Sequence, residues 1–240
     1  AADESSPTIK KRFDTIDVAS TEENRRAYRE LLFTSPDIGK FISGVILFDE
    51  TLRQSSQAGA PFPKLLSDLG VLPGIKVDKG AKPMAGFDGE KITEGLDGLR
   101  DRLSEYRELG ARFAKWRAVI TIAHALPTQA NLEANAHALA RYAALCQEAG
   151  IVPIVEPEVL MDGGHDIDRC EVVTSRTLKA VFNALYDQRV LLEGMLLKPN
   201  MVISGLDCQD QAGVEEVAER TVNCFRQVVP AAVPGIVFLS

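Results

Sequence analysis

Histidine, cysteine and tryptophan are scarce in this 240-residue chain, with three, four and one copies. His124, His137 and His165 are scattered, and Cys146, Cys170, Cys208 and Cys224 share no CxxC or other metal spacing. Metal ligands come in tight pairs or triads, so no metal site is expected, and the four thiols read as reduced and mostly structural. No apolar run approaches the ~18 residues of a membrane span, so no membrane partner is expected. The opening AADESSPTIKKRF lacks the charged start and apolar middle of a signal peptide, which makes a cytoplasmic address the expectation. Positive charge is in deficit: the formal net charge is −7. That excludes a global pull toward nucleic acid and leaves any anionic ligand to a local basic site. Low-complexity segments are missing too, and 45% hydrophobic with 25% charged residues is the composition of a folded chain.

What is present is a recurring pattern. Short apolar runs, GVILF (44–48), GIKV (74–77), RFAKW (112–116), IVPIV (151–155), LLEGMLL (191–197) and GIVFL (235–239), are separated by amphipathic stretches. Helices are expected over 21–33, where Thr21 with Glu23 and Asn24 gives a capping-box start, over 95–110, and over 131–148, 170–188 and 214–227. Strand alternating with helix implies a parallel sheet, because parallel neighbours need a crossover. Polar residues at Lys76, Lys115, Glu156, Lys198 and Ser240 are read as strand ends, at intervals of 39, 41, 42 and 42 residues. This near-constant period, with no Gly-x-Gly-x-x-Gly loop after the first strand, favours a closed barrel over an open dinucleotide fold. The expected fold class is therefore α/β, a TIM (β/α)8 barrel, incomplete as given. Counting Asp3 and Phe48 as further ends gives seven, so one domain over 1–240, truncated inside its first and seventh units, is expected. Residues 49–63 and 80–91, rich in Gly, Pro and Ser, read as loops.

Alternation along a strand places Lys76 with Asp78, Lys115 with Arg117, and Glu156 with Glu158 on common faces. With Asp3 and Lys198 these form a formally neutral set at the carboxyl ends, where barrel active sites lie. A lone charge there is an ordinary rim residue; a convergent set is the mark of function. Lys198 ends an apolar run and precedes Pro199, so its amine is presented among apolar walls. Burial and a neighbouring cation such as Lys115 both favour a neutral, nucleophilic amine, which points to Schiff-base chemistry. Glu156 beside Glu158 supplies paired carboxylates for the proton transfers.

AADES (1–5), TEENRR (21–26), GVILF, GIKVDKG (74–80), GLDGL (95–99), FAKWR (113–117), VPIVEPE (152–158), LEGMLLKPNMV (192–202) and FLS (238–240) closely resemble class I fructose-bisphosphate aldolase, in order and from end to end. The resemblance implies a β/α barrel that reversibly cleaves fructose 1,6-bisphosphate to dihydroxyacetone phosphate and glyceraldehyde 3-phosphate without a cofactor. It implies that Lys198 is the Schiff-base lysine, Glu156 the main proton-transfer carboxylate and Glu158 its neighbour. Asp3 engages the hydroxyl whose deprotonation starts carbon–carbon cleavage, and Lys115 tunes Lys198. Lys76 and Arg117 belong with the substrate contacts, Arg12 with the distal phosphate and Ser240 with the proximal one. The phosphorylated sugar is the expected partner, in a homotetramer. The family continues past FLS with a glycine pair, an eighth strand bearing a phosphate-binding arginine, and a tail ending in tyrosine. The 240 residues alone are therefore expected to show turnover at background. A non-catalytic, moonlighting binding role on the same scaffold is the alternative from another class.

Overall fold

The structure, a computed structural model, describes residues 1–238. In chain order its helices are α1 (Ser6–Asp14), α2 (Glu22–Phe33), α3 (Ile38–Phe41), α4 (Asp49–Arg53), α5 (Phe62–Asp68), α6 (Leu99–Glu108), α7 (Gln129–Glu148), α8 (Ile167–Asp187) and α9 (Val214–Val228). Its strands are β1 (Gly44–Leu47), β2 (Leu72–Lys76), β3 (Ala81–Pro83), β4 (Lys91–Thr93), β5 (Phe113–Ile120), β6 (Val152–Val159) and β7 (Leu196–Leu197). They form two compact units: residues 1–77, 100–115 and 149–151 in the first, and 78–99, 116–148 and the chain from 152 onward in the second.

In the first unit β1 pairs in parallel with β2, from Gly44 opposite Leu72 to Leu47 opposite Ile75. β2 pairs in parallel with the start of β5, which brings Lys76 opposite Lys115. Glycine is required at position 74, because a Cβ there would lie 2.3 Å from the Phe113 ring. Thr21 caps α2 by accepting a hydrogen bond from the Asn24 amide at 3.1 Å, so the helix starts where the capping signal puts it. Its buried Phe33 meets Phe62 of α5 edge-on, with ring centroids 5.2 Å apart. Leu103 and Tyr106 of α6 are buried three residues apart, as one helix face requires, whereas Leu109 falls past the helix end and is exposed.

In the second unit β5 runs on from Trp116, followed in the sheet by β6 and β7, with Ile154 opposite Leu196 and Val155 opposite Leu197. Trp116, Tyr142, Val155 and Leu197 are all fully buried, as expected of parallel strands covered on both faces.

Four local expectations need correction. β5 and β6 do not end at Lys115 and Glu156 but continue to Ile120 and Val159, because the apolar residues beyond keep supplying burial. The stretch 49–63 contains helix α4, favoured by Asp49 and Glu50 in its first turn and an Asp49–Arg53 pair at helical spacing. The stretch 80–91 contains β3 and leads into β4, which pair antiparallel as a hairpin; Gly80, Gly86 and Gly89 take the positive φ its turns require. The run 191–197 is a short 3₁₀ turn over Leu192–Gly194 followed by the two-residue β7, and of 235–238 only Ile236 bridges in parallel, to Leu197.

Candidate active site

The first unit carries a charge cluster built on its amino-terminal segment. Ala2 bridges Leu47 in parallel and donates its amide to the Ile46 carbonyl at 2.9 Å, which seats Asp3 beside the sheet. Lys115 donates to Asp3 Oδ2 at 2.8 Å, with both side chains largely buried. Burial pushes the Asp3 carboxyl upward, but the charge and hydrogen bond of Lys115, with the charge of Lys76, outweigh it and hold the group below its ordinary value. Arg12, on α1, pairs with the carboxylate of Glu4, the next residue after Asp3.

The second unit carries two more pairs. Lys198 Nζ lies 2.8 Å from Glu156 Oε1; the lysine side chain is 12% exposed and the glutamate 1%. The backbone fixes the pair, because Lys198 donates its amide to the Val155 carbonyl at 2.8 Å, one residue before Glu156. Arg117 pairs with Glu158. Burial pulls the arginine pKa down, yet the Glu158 hydrogen bond and charge, with Glu156 and Asp78 adding charge, keep it above its ordinary value. Asp78 receives the amides of Gly80 at 3.1 Å and Arg117 at 3.3 Å, tying the start of the second unit to β5. Trp116 and Pro157, between the charged positions, are buried, and so are Lys115 and Glu156 themselves, so these strands are covered on both faces.

Within its own unit the structure therefore brings together Asp3, Lys115 and Lys76, and separately Lys198 with Glu156 and Arg117 with Glu158. Ser240 lies outside the described residues. Among those described, no group of three or more His, Cys, Asp or Glu could hold a metal ion, and no helix is long and apolar enough to cross a membrane. All four cysteines are free thiols; burial, its largest cause, pushes the Cys146, Cys170 and Cys224 thiols upward and away from the reactive thiolate.

Three supporting residues escape sequence reasoning. Asn200 accepts the Val159 amide at 3.1 Å and donates to Thr174 Oγ1 and the Met201 carbonyl, each at 3.0 Å, so it locks the end of β6 to the segment after Lys198. Glu4 and Arg29 form the second arm of the Asp3 cluster: Arg29, 2% exposed, donates to Glu4 Oε2 at 2.5 Å and to the Glu4 carbonyl at 3.2 Å. Position 4 could have been found from its adjacency to Asp3; nothing in the helical pattern around Arg29 marks it as buried.

A parallel β/α scaffold carrying a buried lysine–carboxylate pair is suited to imine chemistry on a carbonyl substrate. The family model described as fructose-bisphosphate aldolase class-I matches residues 1–240. A probable fructose-bisphosphate aldolase class 1 from Xanthomonas campestris is 64% identical over all of this chain and 72% of its own length. The Arabidopsis thaliana fructose-bisphosphate aldolase 4, cytosolic, is 55% identical over all of this chain and 61% of its own. A solved structure of fructose-bisphosphate aldolase from Plasmodium falciparum, in complex with TRAP and a small molecule inhibitor, superposes with a TM-score of 0.97 at 53% identity, covering all of this chain and 70% of that one. The chain belongs to the class I fructose-bisphosphate aldolase family. Its fold is the expected β/α-barrel class, and its activity is that of a lyase that reversibly cleaves fructose 1,6-bisphosphate. The non-catalytic alternative is not favoured.

Proposed function

We propose that cleavage proceeds through a Schiff base on Lys198. The observation that carries this reading is the buried Lys198–Glu156 pair at 2.8 Å, an amine held against the group that can take its proton. Neutral Lys198 attacks the ketose carbonyl; water leaves the carbinolamine with protons relayed by Glu156, and an iminium remains. Asp3 removes the proton of the hydroxyl next to the breaking bond. The bond's electron pair flows into the iminium, releasing glyceraldehyde 3-phosphate and leaving an enamine. Glu156 returns a proton to the enamine carbon, and hydrolysis frees dihydroxyacetone phosphate and Lys198. Lys115 compensates the charge of Asp3, and Glu158 with Arg117 supports the carboxylate side.

Arg12 serves the distal phosphate, Lys76 and Arg117 the sugar, and Ser240 the proximal phosphate. A cytoplasmic address accords with relatives named cytosolic or cytoplasmic in Arabidopsis thaliana and Cicer arietinum; a homotetramer follows from the family resemblance and is checked by sedimentation of the purified protein. The deciding experiment for the mechanism is borohydride reduction of the full-length protein in the presence of dihydroxyacetone phosphate. The expected result is a single stable adduct on the peptide containing Lys198; an adduct on another residue, or none, overturns the imine reading.

A further inference from the structure

We propose that Arg29, too buried to touch the sugar, is a positioning residue that sets the preference for a doubly phosphorylated over a singly phosphorylated ketose, acting through Glu4 on Arg12. The proposal rests on the reading above that Arg12 meets the distal phosphate.

The chain of contacts is short and lies within the first unit. Arg29 grips Glu4 twice, at Oε2 and at the main-chain carbonyl, so neither the carboxylate nor the backbone of that residue can swing away. The other carboxylate oxygen, Oε1, is thereby aimed at the Arg12 guanidinium and pairs with Nη1. Arg12 needs such a support: its side chain is 59% exposed, and an exposed arginine is free to sample many rotamers. Glu4 occupies one edge of a planar fork with five donors and leaves the rest for a phosphate. A second link runs through the same helix. The Arg29 guanidinium lies 5.4 Å from the centroid of the Tyr28 ring, which meets Phe13 of α1 edge-on at 5.7 Å, next to Arg12 in the chain. An arginine pre-aimed at an anion loses less freedom on binding it than a loose one. A substrate without the distal phosphate draws nothing from that preorganisation.

The test compares fructose 1,6-bisphosphate with fructose 1-phosphate on the whole gene product. Arg29→Lys keeps the charge but not the two-pronged grip. Its KM for the bisphosphate should rise about tenfold, while kcat/KM for the monophosphate changes by less than about twofold, so that the ratio of the two shifts. Glu4→Asp, which keeps a partner for Arg29 but shortens the reach to Arg12, should shift the ratio the same way and serves if Arg29→Lys fails to fold. Equal losses on both substrates, or no loss on either, overturn the proposal, since a purely structural role lowers both together. Arg12→Ala separates the two ways of failing. If it too leaves the ratio unchanged, the phosphate reading of Arg12 falls and takes this one with it; if it shifts the ratio while Arg29→Lys and Glu4→Asp do not, the coupling alone is wrong.

Discussion

The Lys198–Glu156 pair of the second unit and the Lys115–Asp3 pair of the first share an N–O distance of 2.8 Å and similar burial, yet their frames differ. Lys198 and Glu156 sit beside paired backbones, with the Ile154–Leu196 and Val155–Leu197 register on one side and Asn200 bonded across to Val159 on the other. Asp3 is seated by a single bridge, Ala2 to Leu47, and its neighbour Glu4 is held by two arginines. One pair is placed by hydrogen bonds between neutral groups, which salt and pH barely touch. The other depends on charge, which pH attacks directly and salt only modestly, because the pair is largely buried. On the imine reading, Lys198 has to form and break a covalent bond in register and gains most from the first kind of support. On the same reading a carboxylate that must be ionised when it meets the hydroxyl proton, as Asp3 must, is served by the second.

The largest effect is expected at Lys198. In the full-length protein Lys198→Met removes the amine and should lower kcat by at least about 10⁴-fold, with borohydride labelling abolished. Comparable turnover in this variant would detach the chemistry from the second-unit pair altogether. Glu156→Gln keeps shape and removes the proton acceptor. It should lower kcat by about 10²- to 10⁴-fold with a smaller change in KM, and single-turnover measurements should show the loss in imine formation and enamine protonation.

The positions of Lys115 and Glu156 are legible in the sequence because alternation puts them with Arg117 and Glu158 on one face of a strand, and that of Lys198 because it ends an apolar run before Pro199. The parallel α/β class followed for a similar reason, since apolar runs recurring between long amphipathic stretches admit few other architectures. Strand ends were not legible. A charged residue in an apolar run looks like a terminus, but Lys115 and Glu156 are paired with other side chains, and so β5 and β6 continue past them. The hairpin of β3 and β4 was hidden because three-residue strands carrying Lys82, Pro83 and Lys91 have no apolar alternation to read. Arg29 was hidden because a polar residue on an amphipathic helix reads as its solvent face until a partner 25 residues away is known.

A finer test of the backbone-supported pair comes from Asn200→Ala, which removes the acceptor of the buried Val159 amide and one partner of the Thr174 hydroxyl while leaving Lys198 and Glu156 unsubstituted. It should cost about 1–3 kcal/mol of stability in denaturant unfolding and lower kcat/KM about tenfold through loss of alignment. Asn200→Asp, which retains the accepting oxygen for Val159, should recover part of both. If Asn200→Ala changes stability alone, the amide holds the fold and contributes nothing to register.

The smallest effect sharpens the contrast from the charge-dependent side. Lys115 and Lys76 hold the Asp3 carboxyl below its ordinary 3.8 despite burial, which acts the other way. A carboxyl whose folded pKa lies below its unfolded one binds its proton more readily in the unfolded chain. Stability therefore rises with pH across that window, is fully present above about pH 4, and is lost as pH falls through the folded value. Asp3→Asn, which mimics the protonated group, should thus lower the melting temperature at pH 7 by a few degrees, of the size expected from about 1 kcal/mol. The difference from the parent should shrink as the pH is taken down toward 3, and added salt should reduce it only modestly because the pair is largely buried. A gap that stays constant from pH 7 to pH 3 would mean that Asp3 contributes through shape and hydrogen bonding alone, and that the two units hold their lysines in the same way after all.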